Sequence, residues 1–205
     1  MLAWNRAINL TAITEPAAVA RLHVADSLAA VPTLAAERIA AFVDLGSGAG
    51  FPALPLAVVL GTETCLVESV GKKARFLEAS AVAAGLATRV RVAASRAETF
   101  GADPAHREQW PAVTARAVAG LADLVELAFP LLRPGGILVA WKRGEIDPEL
   151  AAAGRAAEAL GGGVIEVQPT HVGTLPGHVL VIVRKRGSSP REYPRDPAAR
   201  RRRPW

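Results

Sequence analysis

Short, unbroken apolar runs alternate with helix-length, alanine-rich stretches from residue 41 onward, and this alternation restricts the possible folds most strongly. Apolar runs without polar interruptions are typical of strands buried on both faces of a sheet. Strands that alternate with helices indicate crossover connections, and therefore a parallel sheet covered by helices. The predicted strands are Ala41–Leu45, Thr64–Val67, Val90–Ala93, Ala112–Ala115 and Ile137–Trp141, and the predicted helices between them include Lys72–Ala84, Leu121–Phe129 and Glu149–Leu160.

The last two apolar runs, Val164–Val167 and His178–Val183, have only a loop with Gly and Pro between them. Strands joined without a helix must be antiparallel neighbours or lie at different edges, and we predict a terminal antiparallel hairpin. The fold class is therefore α/β, with a seven-stranded, mostly parallel sheet. Ahead of the sheet, Glu15–Val31 is predicted to form one helix with Thr14 as its N-cap.

Length and composition fit one folded domain with a short appendage. The chain has 205 residues, 51% of them hydrophobic, which excludes a largely disordered protein. We predict a domain over residues 1–183, with a helical segment (1–35) and an α/β core (36–183), followed by a tail (184–205). No apolar run is long enough to span a bilayer and no secretory signal is recognisable, so we expect a cytoplasmic protein without membrane contact. Cys65 is the only cysteine, which excludes a cysteine-rich metal site, and no metal is expected.

The net charge of +5 is concentrated at the end of the chain. Residues 184–205 carry nine Lys or Arg against two acidic residues, Glu192 and Asp196. A basic tail on a near-neutral domain suggests a polyanionic partner such as nucleic acid. The alternative is a disordered end that only adds solubility.

A glycine-rich loop follows the first predicted strand. Gly46, Gly48 and Gly50 come directly after Asp44-Leu45, and glycines at these positions let the backbone turn tightly and approach a ligand. The helix that follows would direct its free N–H groups toward that ligand. A dinucleotide fingerprint would require glycine where Phe51 stands, so the loop does not indicate a nicotinamide cofactor.

Charged residues follow the other strands at their carboxyl ends. Glu68 ends the second strand, where a carboxylate can accept hydrogen bonds from both hydroxyls of a ribose. Ala97-Glu98 follows the third strand and could pack against adenine and accept from its amino group. Arg116 and Lys142 end the fourth and fifth strands, so acids and cations would line opposite sides of one cleft. The alternative for the two cations is a local salt bridge.

The hairpin, the glycine loop and Pro134-Gly135-Gly136 resemble class I S-adenosylmethionine methyltransferases, which have a Rossmann-like core. From about residue 4 to 195 the chain also resembles one bacterial family, the 16S rRNA guanine-N7 methyltransferases, or glucose-inhibited division protein B. The motifs that carry this resemblance are Asn9-Leu10-Thr11, His23 with Asp26-Ser27, Asp44 through Pro52, Glu68-Ser69, Gly71-Lys72-Lys73, Arg75-Phe76-Leu77, Arg96-Ala97-Glu98, Thr114-Ala115-Arg116-Ala117 and Tyr193-Pro194-Arg195.

The resemblance implies S-adenosylmethionine as cofactor and methyl transfer to N7 of a guanine in the decoding-region loop of 16S rRNA. The implied partner is 16S rRNA or a small-subunit particle, and a monomer is expected. Guanine N7 has a lone pair and no proton, so no general base is needed and no catalytic residue is assigned. The resemblance places cofactor contacts on Gly46, Phe51, Ala97, Glu98 and Arg116, and the loop and cleft add Asp44, Gly48, Gly50 and Glu68.

Further residues are candidates for the RNA side of the cleft. His23, Asp26 and Ser27 lie three and four positions apart and either face the substrate or form a network that fixes the helix to the sheet. Basic residues could contact phosphates. These candidates are Arg116, Lys142, Arg143 and Arg195.

Two other functions remain open on the sequence alone. A methyltransferase for a small molecule or a protein would keep the cofactor motifs but would not need the basic tail. A non-catalytic RNA-binding or ribosome-assembly protein would bind RNA without the cofactor.

Overall fold

A seven-stranded sheet is the centre of the fold in the computed structural model, which describes residues 1–170 and 175–205. The strand order is β3-β2-β1-β4-β5-β7-β6, and β7 alone runs antiparallel to its neighbours β5 and β6. The predicted mostly parallel sheet with a terminal hairpin is confirmed, although the predicted loop of that hairpin lies partly outside the described residues. The strands are β1 Ala41–Leu45, β2 Glu63–Val67, β3 Val90–Ala93, β4 Trp110–Arg116, β5 Leu132–Arg143, β6 Gly163–Pro169 and β7 His178–Lys185.

Helices cover both faces of the sheet, which explains why the strands are apolar throughout. On β1, Phe42 belongs to one buried cluster and Val43 to the other. Leu56 and Leu77 of two helices complete the first cluster, and Leu124 belongs to the second. The α-helices are α1 Leu2–Ile8, α2 Pro16–Val19, α3 Asp26–Leu28, α4 Val31–Ala36, α5 Ala53–Leu60, α6 Gly71–Ala83, α7 Ala97–Ala102, α8 Leu121–Ala128, α9 Asp147–Ala159 and α10 Pro197–Arg202.

The N-terminal segment differs from the single helix that we predicted over Glu15–Val31. A π-helical segment, Ala20–Ala25, separates α2 from α3, and a turn separates α3 from α4. The N-cap is Glu15 rather than Thr14, because the Glu15 carboxylate accepts from two backbone N–H groups of the first turn. π-Helical turns are frequent at functional sites, and this one directly precedes Asp26.

The last 22 residues do not form the disordered end that the charge pattern allowed. Strand β7 continues through Lys185, so the predicted boundary after residue 183 falls inside a strand. The fully buried Lys185 ammonium donates to a Glu108 carboxylate oxygen at 2.6 Å and to the carbonyls of Phe129 and Leu132 at 2.6 and 2.7 Å. The Lys185 ammonium is therefore neutralised and hydrogen-bonded inside the domain, and it is not available to bind a partner.

The chain after β7 folds back over α7 and α8. Arg195 donates from Nε and Nη2 to the carboxylate of Glu126, which is fully buried on α8. The same carboxylate accepts from the indole Nε1 of Trp205 at 2.7 Å. We call residues 188–205, which include α10, the C-terminal clasp, because Arg195 in its middle and Trp205 at its end both bind Glu126.

Candidate active site

The carboxyl ends of the five parallel strands meet at one edge of the sheet. Strands β1 and β4 are neighbours there, and the chain leaves β1 toward β2 on one side and β4 toward β5 on the other. Such a switch in strand order opens a crevice, and in open α/β sheets ligands bind in it. The glycine loop after β1 lies directly in this crevice.

The loop after β1 has the open backbone that its glycines predict. Gly46 and Gly50 have φ angles of 66° and 85°, in the left-handed region that side chains disfavour. A Cβ on Gly46 would lie 2.8 Å from a methyl carbon of Val118. The N–H groups of Gly46 and Ser47 donate to the Val67 carbonyl at 2.8 and 3.1 Å, which holds the loop against the end of β2.

Glu68 fixes the same loop from the end of β2. Its Oε2 accepts from the Gly48 N–H at 2.9 Å, and its Oε1 accepts from the Val70 N–H at 2.8 Å. Each carboxylate oxygen can accept more than one hydrogen bond, so acceptor positions remain for two ribose hydroxyls. The buried carboxylate can therefore both shape the loop and bind a nucleoside.

We expect Glu68→Ala to weaken nucleoside binding and also to lower stability. The substitution leaves the Gly48 and Val70 N–H groups without their acceptor, which costs about 1–3 kcal/mol in the free energy of unfolding. Loss of the ribose contacts should raise the Kd for S-adenosylhomocysteine by about 10–100-fold, measured by calorimetry. Glu63→Ala, at the exposed opposite end of β2, should change neither quantity. Unchanged affinity in Glu68→Ala would contradict the assignment.

Asp44 is buried at the end of β1 and is only partly paired. Its Oδ1 accepts from the Thr114 hydroxyl at 2.6 Å, whereas Oδ2 has no partner among the described residues. Burial raises the pKa of Asp44 to about 6, although the Thr114 hydrogen bond and Arg116 act in the opposite direction. An unpaired buried carboxylate oxygen beside a glycine loop fits a cationic ligand group.

The raised pKa of Asp44 makes a stability contribution that depends on pH. Because the folded-state pKa lies above the unfolded value, this contribution is present near pH 4 and is lost as pH rises through 6. Asp44→Asn cannot ionise, so its stability relative to wild type should increase by about 2 kcal/mol between pH 4 and pH 7. Urea unfolding of both proteins across this range measures the difference. A difference independent of pH would contradict the raised pKa.

A cavity of about 230 Å³ adjoins the glycine loop. Glu98, on the first turn of α7, faces it from the end of β3, and Arg200 of the C-terminal clasp closes one side. Residues that follow β1, β2 and β3, namely Gly46, Ser69 and Glu98, therefore lie around one cavity. The residues that line the cavity are Gly46, Val67, Ser69, Ser95, Arg96, Ala97, Glu98, Val118, Ala119, Leu127 and Arg200.

Arg116, at the end of β4, joins the sheet to the N-terminal helices. Its Nη1 donates to Oδ2 of the buried Asp26 at 2.9 Å, and its Nη2 lies 3.2 Å from Nδ1 of His23. Asp26 also lies 2.9 Å from Nδ1 of His178 and accepts at its backbone carbonyl from the indole of the buried Trp141. For His23 and Asp26 we had considered either a position facing the substrate or a network that fixes the N-terminal helix to the sheet. These contacts form such a network.

The contacts of His23 determine its tautomer. An arginine can only donate, so Nδ1 of His23 is the acceptor toward Arg116. Its Nε2 therefore carries the hydrogen and donates to the Thr11 hydroxyl at 2.8 Å. Burial, followed by the positive charge of Arg116, lowers the pKa of His23 below its usual value. The neutral ring stacks on Phe51 with centroids 4.9 Å apart.

A second cavity, of about 250 Å³, lies at the ends of β4 and β5 and shares Ala119 with the first. Three cations, His178 and Asp26 line it, and the first cavity likewise has Arg96 and Arg200 beside Glu98. Contrary to our prediction, the crevice therefore does not separate acids from cations on opposite sides. Lys142 donates to the Glu149 carboxylate at 2.7 Å, whereas Arg143 is exposed at the mouth. The lining residues are Asp26, Arg116, Ala117, Ala119, Trp141, Lys142, Arg143 and His178.

Several predicted site residues lie elsewhere or are already engaged. The ring of Phe51 packs on His23 and lines an apolar groove outside both cavities. Ser27 is fully buried and donates to the His23 carbonyl. Arg195, which we predicted on the RNA side, has its guanidinium bound to Glu126 and to the Arg203 carbonyl within the chain.

Sequence reasoning missed two residues that line the crevice, Arg200 and His178. Arg200 stands in a run of four arginines, and nothing in the sequence distinguishes the one that turns inward. His178 begins β7 opposite Arg143, and only the strand register brings it to Asp26. Both depend on long-range pairing that local patterns do not encode.

The described parts of the chain contain no group of three His, Cys, Asp or Glu residues suited to hold a metal ion. Among the helices of residues 1–170 and 175–205, none has the length and hydrophobicity to cross a bilayer.

Solved structures place the fold among Rossmann-like methyltransferases. An S-adenosylmethionine-dependent O-methyltransferase from Thermotoga maritima superposes with a TM-score of 0.58, covering 90% of this chain and 71% of that one at 13% identity. At this identity the similarity concerns the fold, and the predicted class I methyltransferase fold is confirmed.

Relatives narrow this class to one family. The model of the GidB family, rRNA small subunit methyltransferase G, matches residues 1–174. The chain is 43% identical to ribosomal RNA small subunit methyltransferase G of Roseiflexus sp. over 203 residues, which cover 98% of this chain and 86% of the relative. The protein of the same name from Chloroflexus aggregans is 46% identical, over 95% of this chain and 82% of its own. The chain belongs to this GidB family.

Proposed function

We propose that this protein transfers a methyl group from S-adenosylmethionine to N7 of a guanine in the decoding-region loop of 16S rRNA. The observation that carries the proposal is the pair of adjoining cavities at the carboxyl edge of the sheet. Gly46 of the glycine loop and Glu98 line the first cavity, where a donor nucleoside would bind. Arg116, Lys142 and Arg143 line the second, where an anionic acceptor would bind. The family relatives are rRNA small-subunit methyltransferases by name.

Groups in and beside the first cavity fit the donor in three respects. Glu68 offers acceptor positions for the ribose hydroxyls, and Glu98 offers one for the amino group of adenine. The unpaired Oδ2 of Asp44 suits a cationic group of the donor beside the glycine loop. When bound, S-adenosylmethionine supplies an electrophilic methyl group on its sulfonium.

The residues of the second cavity position the acceptor base and do not need to remove a proton. Guanine N7 attacks with a lone pair and loses no hydrogen, so orientation and electrostatics suffice. The acids here are already paired: Asp26 binds Arg116 and His178, and Glu149 binds Lys142. The shared wall at Ala119 keeps the two cavities close enough for direct transfer.

Arg143 is the basic residue best placed to contact a phosphate near this cavity. We expect Arg143→Ala to raise the KM for rRNA several-fold and to reduce the salt dependence of binding by about one phosphate contact. Arg133→Ala removes an exposed arginine from the opposite end of the same strand, β5, and should have no effect. Filter binding at several salt concentrations, with calorimetry for the donor, separates the two sites. An equal loss of donor affinity in Arg143→Ala would contradict a role on the RNA side.

The proposal is tested by methyl transfer from labelled S-adenosylmethionine to small subunits, or to naked 16S rRNA, from cells that lack the protein. Borohydride and aniline cleave RNA at N7-methylguanine and so locate the product. We expect incorporation at one guanine, and strongly reduced incorporation with the Glu68→Ala variant at donor concentrations near the wild-type Kd. Donor binding without any transfer to either RNA substrate would overturn the substrate assignment, as would methyl incorporation at another atom.

A bacterial rRNA is assembled and modified in the cytoplasm, so we propose that location. We also propose that the protein acts as a monomer. Light scattering during size-exclusion chromatography should give a mass near 21.4 kDa. A dimer mass would contradict the monomer.

A further inference from the structure

Arg200 contacts the proposed cofactor cavity although it lies near the end of the chain. On α10, its Nη2 donates to Oε1 of Glu98, on the first turn of α7. The Arg200 side chain is only 12% exposed, while the three arginines that follow it are exposed. One arginine of the run is therefore turned inward against the wall that Gly46 and Glu98 also line.

The C-terminal clasp holds Arg200 in this position from both sides. Helix α10 begins at Asp196, whose carboxylate accepts from two backbone N–H groups of the first turn at 2.8 and 2.9 Å. Immediately before it, the backbone N–H of Arg195 donates to Glu126 at 2.8 Å, and beyond it the indole of Trp205 donates to the same carboxylate. The inward direction of Arg200 is thus built into the packing of the clasp.

The pairing leaves part of the Glu98 carboxylate available to a ligand. Oε1 is occupied by Arg200, whereas the recorded contact of Oε2 is with the exposed Arg96 at a distance of 3.9 Å, too long for a hydrogen bond. A carboxylate with one oxygen fixed by a guanidinium keeps the other in a defined direction. Without the guanidinium, the carboxylate would rotate and would lose that orientation.

We propose that Arg200 is a positioning residue for the nucleobase of the cofactor, because it orients Glu98 to accept from the exocyclic amino group of adenine. This inference rests on the proposed function. A second observation supports a ligand here: Nη1 of Arg200 is buried and has no partner among the described residues. Buried donors are rarely left unpaired, and N1 of adenine, the ring nitrogen beside the amino group, is an acceptor that could satisfy it, whereas the same nitrogen of hypoxanthine carries a hydrogen.

Calorimetry with two ligands tests this role. S-adenosylhomocysteine carries the adenine amino group, and S-inosylhomocysteine carries a carbonyl oxygen in its place. We expect Arg200→Ala to weaken S-adenosylhomocysteine binding about tenfold and to leave S-inosylhomocysteine binding within twofold, so the preference for adenine falls. Arg201→Ala, an exposed neighbour on α10, should keep the wild-type preference. Arg200→Lys keeps a cation and should therefore retain part of the preference for S-adenosylhomocysteine that Arg200→Ala loses.

The other outcomes each overturn the inference in a distinct way. If Arg200→Ala weakens the binding of both ligands equally, or leaves the preference for adenine unchanged, Arg200 does not orient Glu98. It would then only line the cavity. Tighter S-adenosylhomocysteine binding in Arg200→Ala would mean that the arginine obstructs the cavity. If Arg200→Ala does not fold, the same outcomes apply to Arg200→Gln, which removes the charge but keeps a side chain of similar length. A wild-type protein that binds neither ligand would overturn the proposed function itself.

Discussion

Arg195→Ala is expected to lower the free energy of unfolding by about 3 kcal/mol, because it leaves Glu126 ionised and buried without its main partner. Glu126 is fully buried on α8 and receives Nε and Nη2 of Arg195. For a chain of this length such a loss lowers the melting temperature by about 6–12 °C. Differential scanning calorimetry measures both quantities.

Two further variants distinguish the cost of an unpaired buried charge from a general loss of stability on altering the C-terminal clasp. Arg191→Ala removes an exposed arginine a few residues upstream and should leave stability within about 0.5 kcal/mol of wild type. The double variant Arg195→Met, Glu126→Leu removes both charges and should recover much of the loss. A single variant as stable as wild type would show that the clasp contributes little to the fold.

Gly46→Arg is expected to abolish binding of S-adenosylhomocysteine, raising its Kd more than about 100-fold. The added side chain begins at a position where even a Cβ would meet Val118 at 2.8 Å, and it would extend into the cofactor cavity. Titration calorimetry at ligand concentrations well above the wild-type Kd measures the loss.

Gly85→Arg is the matched control for this variant. Gly85 also has a positive φ, of 70°, so an arginine there has a similar backbone cost of about 1 kcal/mol. A Cβ at Gly85 meets no atom within 4 Å, and the position lies beyond α6, away from both cavities. Equal loss of binding in the two variants would indicate backbone strain rather than a filled cavity.

Most of the sheet could be predicted because its signal is local. Unbroken apolar runs reveal strands buried on both faces, and β1 and β3 begin and end where we predicted. The break of the N-terminal helix was missed because Glu15–Val31 is compatible with one continuous helix. The π-helical segment precedes Asp26, whose partners Arg116 and His178 lie 90 and 152 residues away.

The site was predictable to the extent that it depends on strand ends. The glycine loop, Glu68 and Glu98 follow strands directly, and the sheet brings them to one edge. The folded, paired part of the basic tail was missed because charge alone does not reveal which acids a cation will meet. Lys185, Arg195 and Arg200 bind acids on distant elements, so they serve the fold and the cavity wall.

A crystal structure of the protein grown with S-adenosylhomocysteine tests the central claim most directly. The account predicts adenosyl density beside the glycine loop, with the ribose hydroxyls on Glu68 and the adenine amino group on Glu98. Density for the ligand in the apolar groove beside Phe51, or a cofactor cavity without ligand at saturating concentration, would contradict it.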